Sequence, residues 1–114
     1  MQIIKKTRSE LDRRLAHDGE GIKKVFAEDG EIKNLEAITL SCLDPGKKFS
    51  WHNHDNATEM FFVMKGSGEI RENDGVQTFS NWDFFIIPKG VFHEITNTGK
   101  EKFEGVFIRV KSWF

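Results

Sequence analysis

Residues 46–66 read GKKFSWHNHDNATEMFFVMKG. Two of the chain's four histidines, His52 and His54, stand two apart in a run that otherwise has the character of a β-strand. Side chains two apart on a strand share a face, so both imidazoles are expected to point the same way. Glu59 follows after a short turn and starts the next strand-like run. Two imidazoles and a carboxylate are the right donor types for one first-row metal ion. A fourth protein ligand would have to come from elsewhere, and the remaining histidines are His17 and His93.

Working outward, short strand-like runs recur from residue 22 to the C-terminus. They cover 22–26, 35–43, 48–53, 59–65, 68–72, 76–80, 83–88, 91–97 and 102–113. The segments DG, DPG, GSG, NDG and NTG lie between them and supply residues that accept a positive φ. Asn73-Asp74-Gly75 between two such runs is a hairpin signal. Many short strands at regular spacing predict an all-β sandwich or barrel. In 59–65 both strand faces are apolar: Phe61 and Val63 follow Glu59 on one, and Met60, Phe62 and Met64 lie on the other. A strand with one wet face would not look like this. The outer face is therefore expected to be covered by another sheet or by a second subunit, and a homodimer follows as an expectation. Ahead of the strands, Ser9 to Leu15 places Leu11 and Leu15 four apart behind a possible Ser9 cap, which predicts a short N-terminal helix.

Composition narrows the function classes. The chain has 114 residues, enough for one core, and eleven of them are Phe. It is read as a single domain, 1–114, with an N-terminal segment 1–21 and a barrel core of about 22–113. The formal net charge is -1, and lysines and arginines are scattered, so neither nucleic acid nor a membrane surface is expected as a partner. The single cysteine, Cys42, allows no internal disulfide and fits a reducing compartment. With no apolar run long enough for a signal or a span, a cytoplasmic location is expected.

The spacing Gly46-x5-His52-x-His54-x4-Glu59-x6-Gly66, followed by Pro88-x-Gly90-x2-His93-x3-Asn97, resembles the two motifs of the cupin superfamily. The resemblance covers about Leu35 to Val110. One position departs from it: the second motif normally opens with Gly, and here Trp82 precedes Asp83. The resemblance implies an antiparallel jelly-roll β-barrel with one divalent transition metal ion held by His52, His54, Glu59 and His93. The donor set suits Fe, Mn, Ni, Co or Zn without choosing among them. Without an ion, an ionised Glu59 in a Phe- and Val-walled interior would cost several kcal/mol, roughly.

Substrate contacts are expected from residues sharing inward faces. Thr39 and Ser41 share one face of their strand, and Phe61 and Phe107 are pocket-wall candidates. Arg109 shares a face with Phe103, Gly105 and Phe107 and is suited to a carboxylate or phosphate. Parity alone does not say whether that face is inward, because Val106, Ile108 and Val110 on the other are equally apolar. Glu59 is also a candidate general base, provided that it leaves the metal. Two functions remain open. One is a metalloenzyme with dioxygenase, isomerase or lyase chemistry on a small organic acid or sugar. The other is a non-catalytic, metal-dependent module that binds a small-molecule ligand.

Overall fold

A computed structural model describes residues 2–111. Ten strands run in chain order: β1 (Arg13–Ala16), β2 (Gly21–Glu28), β3 (Leu35–Leu43), β4 (Lys48–His52), β5 (Ala57–Lys65), β6 (Gly68–Glu72), β7 (Gly75–Phe79), β8 (Phe84–Ile87), β9 (His93–Asn97) and β10 (Phe103–Lys111). They form a six-stranded sheet, β1-β2-β3-β10-β5-β8, and a four-stranded sheet, β4-β9-β6-β7. All the strand pairs are antiparallel. The all-β jelly-roll expectation holds. The β6–β7 hairpin turns at Asn73 and Asp74, with Glu72 opposite Gly75. Residues 112–113 of the last strand-like run lie outside the described residues.

The N-terminal helix does not form. Residues Arg8–Glu10 make a single 3-10 turn, and Arg13–Ala16 pairs along β2 as an edge strand. Two leucines one turn apart cannot offset the nucleation cost of so short a helix. The open edge of β2, by contrast, offers a row of backbone partners. Leu15, read as part of the short helix, is an exposed residue of β1. The sheet therefore starts within 1–21, ahead of the barrel limit expected at about residue 22.

The core lies between the sheets. Leu43, Phe49, Phe61, Val63, Phe79, Ile95, Phe103 and Phe107 are buried together. Phe61 stacks between Phe85 at 4.8 Å and Phe107 at 4.9 Å, and Phe79 and Phe103 meet it edge-on. Offset stacked and edge-to-face pairs each add to the area buried. Gly105 makes this closure possible: a Cβ there would lie 2.8 Å from the Phe103 ring and 3.1 Å from that of Phe107. The inward face of β10 is thus Phe103, Gly105, Phe107 and Arg109, which resolves the choice that strand parity left open.

Two backbone details position the site. The register of β4 against β9 shifts between Phe49 and His52. This bulge turns both side chains inward, although three residues apart on a regular strand would face opposite ways. Trp82 takes φ 74, the left-handed conformation that favours glycine. Its amide donates to the Val63 carbonyl at 2.8 Å, so the turn survives the departure from the motif with its backbone geometry kept.

Candidate metal centre

Four elements bring the donors together. His52 ends β4, Glu59 lies on β5, and His93 starts β9. His54 stands just past β4 in the loop, not on a strand as its spacing predicted. That loop is tied to the turn before His93, because the Gly90 amide donates to the His54 carbonyl at 2.9 Å. Asn97, four residues past His93, is fully buried. Its amide donates to the carbonyls of Leu43 at 3.0 Å and Glu101 at 2.8 Å, which fixes the far end of β9.

One ligand atom from each of His52, His54, Glu59 and His93 lies within 4.8 Å of the others. The Glu59 carboxylate is buried, with His93 Nε2 at 3.3 Å from one oxygen and His54 Nε2 at 3.4 Å from the other. His93 Nδ1–H donates to the Val91 carbonyl at 2.9 Å, and His52 Nδ1–H donates to that of Ser50 at 2.6 Å. These bonds fix the tautomer and leave Nε2 as a bare lone pair facing the cluster. Nε2 of both His54 and His93 is buried with no hydrogen-bond partner among the described residues. A lone pair 3.3 Å from a carboxylate oxygen is two acceptors facing each other. A divalent cation resolves that conflict, so the residues fit the ion that their chemistry implies.

The electrostatics agree with ligand duty. Burial alone would raise the Glu59 carboxyl, but whenever a proton stands in for the cation on the adjoining His54 and His93 Nε2 atoms, their hydrogen bonds and charge outweigh burial and hold it below the usual carboxylate range. Burial pushes the His52 imidazole down to about 4, against the opposing effect of the Ser50 carbonyl. Both groups therefore stand in their metal-binding protonation states near neutrality.

Beside the cluster lies a recess of about 40 Å³, walled by His17, Lys23, Thr39, Ser41, Phe49, His52, Glu59, Phe107 and Arg109 among others. Thr39, Ser41, Phe107 and Arg109, expected as substrate contacts, line this recess. Phe61 does not line this recess: two residues along β5 from Glu59, it sits one layer deeper, sealed between other rings. Arg109 lies 3.6 Å from Glu59 and 3.6 Å from Glu36, so its charge is shared between two carboxylates.

Sequence reasoning missed His17 and Lys23. His17 begins a tight turn with φ 49, followed by Asp18 at 55 and Gly19 at 97. Its ring stacks on Phe49 at 4.6 Å and meets His52 edge-on at 4.3 Å. Burial lowers its pKa, although Glu20 opposes this. The His-Asp-Gly run was a turn signal, overlooked because a helix was expected around it. Lys23 pairs with Ser41 across the β2–β3 ladder and so shares its inward face. It alternates with Val25, which stands opposite Thr39, before the register shifts ahead of Ala27.

Among known proteins, a family model described as "Cupin domain" matches residues 39–109. Over 69 residues the chain is 32% identical to a mannose-1-phosphate guanylyltransferase of Sinorhizobium fredii, covering 60% of this chain and 14% of that protein. The chain thus spans about a seventh of that curated relative. Similar solved structures include a predicted oxalate decarboxylase of Thermotoga maritima, at TM-score 0.78 and 19% identity, covering 93% of this chain and 97% of that one. Another is a sugar phosphate isomerase of Silicibacter pomeroyi, at TM-score 0.81 and 16% identity, covering 96% and 76%. At these identities the likeness carries the fold alone.

Proposed function

Because the chain belongs to the cupin domain family, matched over residues 39–109, we propose that it is a metal-dependent cupin acting on a small organic acid or sugar. The observation that carries this reading is the pair of buried, unpartnered Nε2 atoms of His54 and His93, aimed at the Glu59 carboxylate. His52, His54, Glu59 and His93 hold one divalent ion, which when bound supplies Lewis-acid polarisation of a ligand oxygen. The carbonyls of Ser50 and Val91 orient the imidazoles. Arg109 steadies Glu59, and the walls of Phe49 and Phe107 keep bulk water from the recess. Dioxygenase, isomerase and lyase chemistry are the leading reaction classes. Glu59 is the candidate base if it is released from the ion.

A non-catalytic binding module is the second reading, favoured by the small volume of the recess. Elemental analysis of the purified protein, then oxygen uptake and turnover screens with each candidate ion, separates the two. An enzyme loses turnover in His52→Ala and keeps its fold. A module shows no turnover with any ion, yet loses thermal stability on chelation. Absence of any bound first-row metal, and of uptake on reconstitution, refutes both.

The quaternary proposal is a homodimer through the outer face of the six-stranded sheet. Phe62, Met64, Trp82, Phe84 and Ile86 are exposed there, next to one another on β5, β8 and the turn between β7 and β8. An uncharged apolar patch of this kind marks an interaction surface. Sedimentation equilibrium giving only monomer refutes it. A cytoplasmic location is supported by the lone cysteine. No helix among the described residues is long and apolar enough to cross a membrane.

A further inference from the structure

We propose that Lys23, with the hydroxyls of Thr39 and Ser41, forms a subsite for the carboxylate of a ligand of one to three carbons bound beside the metal centre. The proposal rests on the metal reading above and narrows it from organic acid or sugar to a short carboxylate.

Three observations carry it. Lys23 points to the interior, is partly buried, and lines the recess that also contains His52 and Glu59. It takes part in no ion pair and no side-chain hydrogen bond among the described residues. The other cation in the recess, Arg109, is already engaged by Glu36 and Glu59. The Lys23 ammonium, with no counter-ion among the described residues, is available to pair with an anion entering the recess.

The hydroxyls add direction. Thr39 Oγ1 and Ser41 Oγ are buried and lie 3.0 Å apart. Two hydroxyls carry two protons, and one mutual bond uses one of them. The second proton has no partner among the described residues and is available to an acceptor. Ser41 stands directly opposite Lys23 on the ladder, so the hydroxyls and the Lys23 side chain line the same recess.

Size selects among anions. At about 40 Å³, the recess holds roughly three water-sized groups. A carboxylate with one or two further heavy atoms fits. A phosphorylated sugar would have to extend beyond the recess into solvent.

The test uses full-length protein loaded with Co(II), with metal content measured independently. Glycolate and its neutral analogue glycolamide are titrated by calorimetry, and the Co(II) visible absorption is followed in parallel. Wild type is expected to bind glycolate at least tenfold more tightly than glycolamide. Lys23→Met should weaken glycolate at least tenfold, leave glycolamide within twofold, and leave Co(II) stoichiometry unchanged. Lys23→Arg should restore most of the loss. Ser41→Ala provides a second variant and should weaken glycolate severalfold. Equal glycolate affinity in wild type and Lys23→Met, or equal affinity of wild type for both ligands, or no glycolate binding by Co(II)-loaded protein, overturns the subsite and leaves the metal centre standing. Failure to take up Co(II) overturns the metal reading, and the subsite falls with it.

Discussion

The interior of this protein has two ends built from the same strands. Along β5 the inward residues run Glu59, Phe61, Val63, and along β10 they run Arg109, Phe107, Gly105, Phe103. At one end, five phenylalanines close on each other in stacked and edge-on pairs. Every group there finds its partner within the chain. At the other end, three imidazoles surround one carboxylate. Of the five buried side-chain atoms without a hydrogen-bond partner among the described residues, those of His54, His93 and Arg109 lie at this end. The aromatic end stabilises the fold by itself, and the polar end is completed only by something the chain does not supply. A step of two residues along a strand takes the interior from one regime to the other.

The largest effect expected from breaking this contrast is at the aromatic end. Phe61→Ala removes the ring at the centre of the stack and should cost about 3–5 kcal/mol of stability, read as a shift in urea midpoint. A loss below about 1 kcal/mol would mean that the stack does not carry the core. Next, His54→Ala at the polar end should weaken metal binding at least a hundredfold, about 2.7 kcal/mol. The melting temperature of the chelated protein should stay nearly unchanged, because the His54 side chain is partly exposed and its Nε2 has no protein partner to lose. If the chelated variant instead melts far below chelated wild type, His54 belongs to the scaffold and the division into two ends fails.

The smallest effect concerns the strap that carries His17 over the polar end. Glu20 accepts from the backbone amide of Ser50 at 2.9 Å and from its hydroxyl, tying the strap to β4. Burial alone would raise the Glu20 carboxyl, but these two bonds bring it below its ordinary 4.5. The folded state therefore binds fewer protons than the unfolded one as pH falls through this range. The stabilisation is fully present above about pH 4.5 and is lost as pH drops through the folded value. Wild type should exceed Glu20→Gln by about 0.5–1 kcal/mol at pH 7, a modest figure because the side chain is partly solvated. The gap should shrink steadily in acid. Equal stabilities at pH 7 would show that the strap is held by something else.

Much of the polar end was legible in advance. Donor type and spacing marked His52, His54 and Glu59, and the resemblance to the cupin motifs, not spacing, chose His93 over His17 as the fourth donor. The aromatic end was visible only as composition: eleven phenylalanines announce a core without saying which rings touch. His17 was missed because a leucine spacing suggested a helix near residue 11, and the strand that formed instead set the His17 turn against the recess. Lys23 lay in a run correctly read as strand, 22–26, but only its register against β3 shows that it faces inward. The departure at Trp82 was visible, but only the backbone shows that a tryptophan holds the glycine-like conformation there.

The sequence by itself determined that this is an all-β protein with the three donors His52, His54 and Glu59 close together, since alternation, turn chemistry and donor identity are local properties of the chain, and its motif resemblance supplied His93. Tertiary structure decided which face of β10 is inward, how the β4 bulge turns both Phe49 and His52 to the interior, and which cation remains free beside the cluster. Those outcomes depend on register between strands distant in sequence, where a slip of one residue exchanges the inner and outer faces.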